Sequence, residues 1–194
     1  MKGRPREFEP GEALDKAMHV FWRKGFVATS LSDLTEAMGI SRPSLYAAFG
    51  NKEELFRKAM ARYSDGPSAY IREALNEPTA RRVVEGMLTG VVELVTSSCN
   101  PRGCLWVQGT LSCGDSEDPV RKELAASRKS SEAELRKRFA RAIYEGDLPA
   151  GSNAAVLARY VTTIIYGIAL QAANGATRSE LTQVVITVMR TWPP

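Results

Sequence analysis

Apolar residues recur at steps of three and four along nearly the whole chain, and no alternating run is long enough for a strand. The period predicts an all-α protein. A first helix over residues 10–24 puts Leu14, Ala17, Met18, Phe21 and Trp22 on one face, and Gly25 closes it. Ser30 with Asp33 reads as a capping box, which satisfies two backbone amides at a helix start. It opens a short helix with Leu31, Leu34 and Met38 inward, ended by Gly39. Ile40 fills the corner, Ser41 caps a third helix carrying Leu45 and Phe49, and Gly50 stops it. Asn51 with Glu54 is a second capping box, ahead of Leu55, Phe56, Ala59, Met60 and Tyr63.

Asp65-Gly66-Pro67 breaks this pattern and marks the expected boundary between a small domain over residues 1–64 and a larger one over 65–194. Longer helices are expected beyond it, over residues 79–98, 118–144, 152–173 and 177–190, with a short apolar helix near 105–111. The last two carry apolar residues on more than one face. Val156, Tyr160, Ile164 and Ile168 are joined by Leu170, and Leu181, Val184, Val185 and Val188 by Met189. A helix wet on one side needs a single stripe. The excess suggests pairing with a twin chain in an intersubunit four-helix bundle, or else a larger core within the chain.

Two short helices around a glycine corner, over residues 30–49, form a helix-turn-helix. In such a unit the second helix enters the major groove, its first residues near base edges. Here it begins Ser41-Arg42-Pro43-Ser44-Leu45-Tyr46, offering hydroxyls, a guanidinium and a phenol without negative charge. Pro43 sits in the first turn, where its missing N–H costs nothing. Helix starts at Ser30, Ser41 and Asn51 gather near this surface and suit phosphate, and Lys52 adds a charge. Charge agrees in sign. The net charge is +4, and residues 1–63 hold 11 Lys/Arg against 8 Asp/Glu. The basic arm Lys2, Arg4 and Arg6 has no apolar face and can follow a groove.

Gly25-Phe26, Thr29-Ser30, Gly39-Ile40-Ser41, Ser44-Leu45-Tyr46, Phe49, Lys52-Glu53 and Leu55-Phe56 together resemble the DNA-binding domain of the tetracycline-repressor (TetR) family. The likeness covers about residues 10–60 without a gap. It implies an N-terminal three-helix helix-turn-helix domain with a larger C-terminal ligand-binding and dimerisation domain. It also implies a homodimer on a palindromic operator, released by a small molecule. The positions it places at double-stranded DNA are Thr29, Ser41, Arg42, Ser44, Tyr46 and Lys52. Ser30, Pro43, Arg4 and Arg6 join them from the reading above.

For the effector, the central short helix is the place to look. Trp106 and Gln108 supply an aromatic body and one amide, and Tyr144, Tyr160 and Tyr166 are further candidates. Trp106 as plain core is the alternative. Cys99, Cys104 and Cys113 fit a reducing compartment, and cysteine often serves as a small buried hydrophobe. A redox- or electrophile-responsive regulator is the rival reading, with Arg102 lowering the pKa of Cys104. An activator differs only in operator position. The cytoplasm is expected, because no charged and apolar leader opens the chain. The stretch from Val161 to Ala173 reads as too short and too mixed to span a bilayer. No Ser/His/Asp set, metal cluster or phosphate loop favours an enzyme or a cofactor. A nonspecific architectural DNA binder would need a more basic surface.

Overall fold

The computed structural model describes residues 8–111 and 119–192. Among them the chain forms ten helices: α1 (Pro10–Ala28), α2 (Leu31–Met38), α3 (Arg42–Phe49), α4 (Lys52–Asp65), α5 (Tyr70–Leu75), α6 (Ala80–Thr96), α7 (Leu105–Leu111), α8 (Pro119–Tyr144), α9 (Ala154–Ala173) and α10 (Arg178–Arg190). α1 lies across α2 and α4 and also against α7. α6 is the central strut of the larger part, touching α5, α8, α9 and α10. A single apolar core runs from Ala13 to Trp192. The chain therefore changes character at Asp65 without a gap in its packing.

Gly25 breaks α1 where the pattern placed its end, with φ 73° and ψ 172°. The chain then adds a turn, to Ala28, that the pattern did not anticipate. Thr29 donates its hydroxyl to the Gly25 carbonyl at 2.6 Å and ties this turn down. The turn swings Phe26 under α4, its ring 5.0 Å from that of Phe56.

α5 was not expected from periodicity, since six residues show no repeat of their own. It forms because α6 is bare beneath it. A Cβ on Gly90 would overlap the Tyr70 ring, and one on Gly86 would press on Ala74 at 3.2 Å. Arg138, itself buried, donates to the carbonyls of Glu77 and Pro78 at 2.9 and 3.1 Å and pins the loop that follows α5.

The stretch over residues 161–173 is part of a longer helix: α9 begins at Ala154 and at 20 residues is long and apolar enough to cross a bilayer by length and composition. Its inner face packs on α6 and α8, with Ala158, Val161, Ile168 and Ala172 buried. Its outer face carries Val156, Tyr160 and Leu170 exposed.

The seat of Tyr70 on α6 yields a direct test. Gly90→Ala should overpack the site, costing about 1–3 kcal/mol. A melting temperature equal to that of wild type would show that the ring does not rest there.

Candidate nucleic-acid interface

Local chemistry positions α3. Ser41 caps it, its Oγ accepting from the Ser44 amide at 3.3 Å and lying 2.9 Å from the Ser44 Oγ. Leu45 and Phe49 anchor its inner face, both buried. Arg42 Nη2 donates to Ser32 Oγ at 2.8 Å, so the guanidinium is held over the end of α2. Pro43 is exposed in the first turn. Tyr46 is half exposed, opposite the buried Leu45. Ser41, Arg42, Pro43 and Tyr46 thus share an outward surface.

The three helix starts are not equivalent, which refines the expectation that all three suit phosphate. At α2 the Ser30 amide donates to Asp33 Oδ2 at 2.9 Å while Ser30 Oγ accepts from the Asp33 amide at 3.1 Å. At α4 Asn51 and Glu54 make the same reciprocal pair, and Glu53 adds a second carboxylate. Both starts therefore carry their own anions. α3 has no acidic residue in its first turn. Its partial positive charge and Arg42 remain available to an outside polyanion.

Other expected residues fall differently. Thr29 is 1% exposed, with its hydroxyl spent on the Gly25 carbonyl. In this structure it acts inside the fold, away from the outward surface of α3. Lys52 lies with Nζ 4.5 Å from the centroid of the Phe26 ring, at the edge of the α3 surface. Arg4 and Arg6 lie outside the described residues.

Behind this surface lies a cavity in the larger part. It is lined by Tyr70, Met87, Cys104, Trp106, Arg128 and Tyr166, among others, and its volume is ≈ 70 Å³. Trp106 and Tyr166 are where the pattern placed candidates. Gln108 is half-buried but not in the lining. Tyr144 is 93% exposed and Tyr160 faces outward, stacked on Trp192 with ring centroids 6.3 Å apart. Neither lines this cavity, because the α8 end and the α9 outer face turn away from the core. Tyr70 and Arg128 were missed. Tyr70 sits in a segment without a period, and Arg128 resembles any surface cation of a charged helix. Cys104 is buried, and that burial pushes its thiol pKa up. Arg102 is exposed and takes no part in the shift, so the proposed activation of Cys104 by Arg102 is overturned. Cys113 lies outside the described residues, and Cys99 is exposed.

The cavity wall and the reading head are joined directly. Trp22 of α1 donates its indole N–H to the Gly103 carbonyl at 3.0 Å. Tyr63 of α4 donates to Cys104 Sγ at 3.3 Å. The Trp22 and Tyr63 rings meet edge to face at 4.7 Å. Arg57 of α4 grips Glu123 of α8 with two bonds, 2.7 and 2.8 Å.

A capped helix presented on a helical platform, with a second helical layer holding a cavity, defines a helix-turn-helix DNA-binding transcriptional regulator. The chain belongs to the tetR family of bacterial regulatory proteins, which it matches over residues 13–59, and residues 80–188 match the tetracycline repressor-like C-terminal domain. The family consists of transcriptional regulators. The chain is similar to the transcriptional repressor ComR of Escherichia coli K12, at 32% identity over 99% of this chain and 92% of that protein. It is 33% identical to the repressor BdcR of the same organism, over 63% of this chain and 61% of that one. Among solved structures it resembles a cysteine mutant of the TetR family regulator CifR in complex with 26-bp operator DNA. There the TM-score is 0.92 and the identity 42%, over 98% of this chain and 100% of that chain.

The α2 start offers a pH test. Asp33 accepts from Lys24 at 2.6 Å and from the Ser30 amide, and these bonds hold its pKa at about 2, against the usual 3.8. A depressed folded pKa gives stability that is present above the unfolded value and lost as pH falls through the folded one. Wild type should melt above Asp33→Asn at pH 5, and the gap should close as pH falls towards about 2. A gap independent of pH would place the ionised carboxylate outside the capping arrangement.

Proposed function

We propose that the chain is a repressor that binds a palindromic operator as a homodimer and is released when a small molecule enters the cavity around Cys104. The observation that carries this is the Tyr63 to Cys104 bond, because it makes the cavity wall and the reading head one mechanical unit. The relatives named as repressors, and the operator complex of CifR, support the DNA-binding half of the reading. A DNA-bound regulator of this family works in the cytoplasm.

Docking uses the outward face of α3. Arg42 and Tyr46 reach base edges or phosphates, Ser41 and Ser44 bond phosphate, and Ser30, Pro43 and Lys52 frame the contact. Arg4 and Arg6 extend it along the duplex. Specific recognition by two such helices requires half-sites about 34–36 Å apart, or a multiple of that.

Release follows from cavity size. A cavity of roughly 150 Å³ is what admits benzene in a protein core. The ≈ 70 Å³ here is smaller, so a drug-sized molecule must part the walls. Parting them shifts Cys104 and the Gly103 turn, and α4 and α1 follow through Tyr63 and Trp22. The molecule favours the wider state only by its differential affinity, and that difference is what moves the dimer off DNA.

The outer faces of α9 and α10 supply the dimer contact. Val156, Tyr160 and Leu170 recur at helical spacing along one line, which also carries Thr163 and Gly167, small enough for close approach. Val184 adds apolar surface from α10. Two such pairs make a four-helix bundle and account for the apolar length of α9.

Arg42→Ala and Tyr46→Ala should each weaken operator binding about tenfold with an unchanged melting temperature; full affinity in both would remove this docking mode. Leu170→Glu combined with Val184→Glu should sediment as a monomer and lose about 10²-fold or more in operator affinity, since each half-site then binds alone. A dimer with normal affinity would place the contact elsewhere.

A further inference from the structure

The cavity lining divides into polar groups that are already engaged and polar groups that are not. Ser68 Oγ donates to the Tyr63 carbonyl at 3.1 Å, Ser131 Oγ to the Ser127 carbonyl at 3.1 Å, and Thr162 Oγ1 to the Ala158 carbonyl at 2.6 Å. The protons of these hydroxyls are spent on nearby backbone carbonyls, while the Ser127 hydroxyl also lines the space. Tyr70, Tyr166 and Arg128 are different. Among the described residues neither phenol makes a hydrogen bond and Arg128 makes no ion pair. All three line the same space. Burial raises the pKa of both phenols, so each is an O–H donor throughout the physiological range.

Arg128 and Tyr166 lie within electrostatic reach of each other, and Cys104 acts on both phenols. Arg128 acts on the Tyr166 phenol, favouring its anion, and Cys104 faces both tyrosines as a neutral thiol. Glu132 is the carboxylate that acts on Tyr166, in the opposite sense to Arg128. It is already paired with Arg159 at 2.9 Å. The lining itself contains no Asp or Glu. The rest of the wall is apolar: Ile71, Met87, Leu135 and Ile165, with the Trp106 ring. A half-buried guanidinium and two phenols in their O–H form around an apolar chamber can each donate, and none of the lining carries negative charge. Groups of that kind in a low-dielectric site gain most from an ionised acceptor, through charge-assisted bonds.

Resting on the reading of this cavity as the effector site, we infer that the effector is an amphipathic anion, with a carboxylate or equivalent oxyanion held by Arg128, Tyr70 and Tyr166 and an apolar body against Met87, Leu135, Ile165 and Trp106. The seat is selective by sign. A cationic head group would meet Arg128 with no carboxylate free to offset it, and a neutral alcohol would accept from the same donors without charge assistance. Gly90 belongs to the design, because its missing side chain is what lets the Tyr70 ring lie over the chamber.

The test uses matched probes on the full-length protein: octanoate, octan-1-ol and octylammonium, and in parallel 3-phenylpropanoate, 3-phenylpropan-1-ol and 3-phenylpropylammonium. Binding is read by calorimetry and by tryptophan fluorescence, and operator release by anisotropy of a labelled duplex. In at least one series the carboxylate should bind at least tenfold more tightly than its alcohol, and its ammonium should bind more weakly than either. Arg128→Gln should cost the carboxylate about ten- to hundredfold and leave the alcohol unchanged. Tyr166→Phe, which keeps the ring, should cost a smaller factor in the same direction. Alcohols or ammonium ions that bind as well as the carboxylates, an Arg128→Gln variant that keeps carboxylate affinity, or no carboxylate binding in either series would overturn the inference. A carboxylate that binds through Arg128 without releasing the operator would leave the inference standing and overturn the release reading. Release by a neutral or cationic probe at a concentration at or below that needed of its carboxylate would do the reverse.

Discussion

The indole N–H of Trp22 is bonded to the Gly103 carbonyl, deep in the core and 81 residues away along the chain. Trp22 is fully buried, so this donor has no route to water and must find its acceptor at that turn. Tyr63 meets the same constraint beside it, bonding to Cys104 with its ring against the indole. Such an aromatic pair is worth about 0.5–1.5 kcal/mol beyond its buried area. Together the two side chains fix how α1 and α4 sit on the larger part. α2 and α3 are carried on α1 and α4, so the direction of the reading surface is set at residues 103 and 104. A repressor needs its ligand cavity to be heard at the DNA, and here Cys104 belongs to both the cavity wall and the anchoring turn.

The reading surface itself keeps the start of α3 free of the chain's own carboxylates. Both neighbouring helix starts are closed by capping boxes that include carboxylates, and Lys24 adds a partner to one of them. α3 alone of the three is capped by a neutral serine with no acid in its first turn. The same contrast recurs inside, where serine and threonine hydroxyls are spent on helix carbonyls while Arg128 and two phenols are left over. In both places the chain satisfies what it can locally, and the remainder has the chemistry of the partner that is absent. Outside, that partner is the phosphate backbone. Inside, it is an anion with an apolar body.

The helix-turn-helix was legible because its signals are local. Caps at Ser30, Ser41 and Asn51, and glycines at 25, 39 and 50, each act within four residues, and the structure places them where the pattern did. The five later helices read from their periods also stand, within a few residues at their ends. What was not legible depends on distant partners. α5 exists because Gly86 and Gly90 leave room for it on α6, and six residues cannot announce that. Tyr144, Tyr160 and Tyr166 are alike in sequence, and only helix packing sends the third inward and the other two out. Thr29 belongs to a motif associated with DNA, yet its hydroxyl closes the turn after Gly25. Arg128 sits among charged neighbours, and nothing in its local sequence separates a cavity wall from a wet face.

The measurement that bears most directly on the account is selection of binding sites from a pool of random DNA duplexes by the purified full-length protein at moderate salt, with the number of chains per selected duplex then weighed by sedimentation. The account requires an inverted repeat whose half-site centres are separated by about one helical turn or a multiple, bound by an even number of chains. Recovery of a single unrepeated site carrying one chain, or of no sequence preference at all, would contradict it.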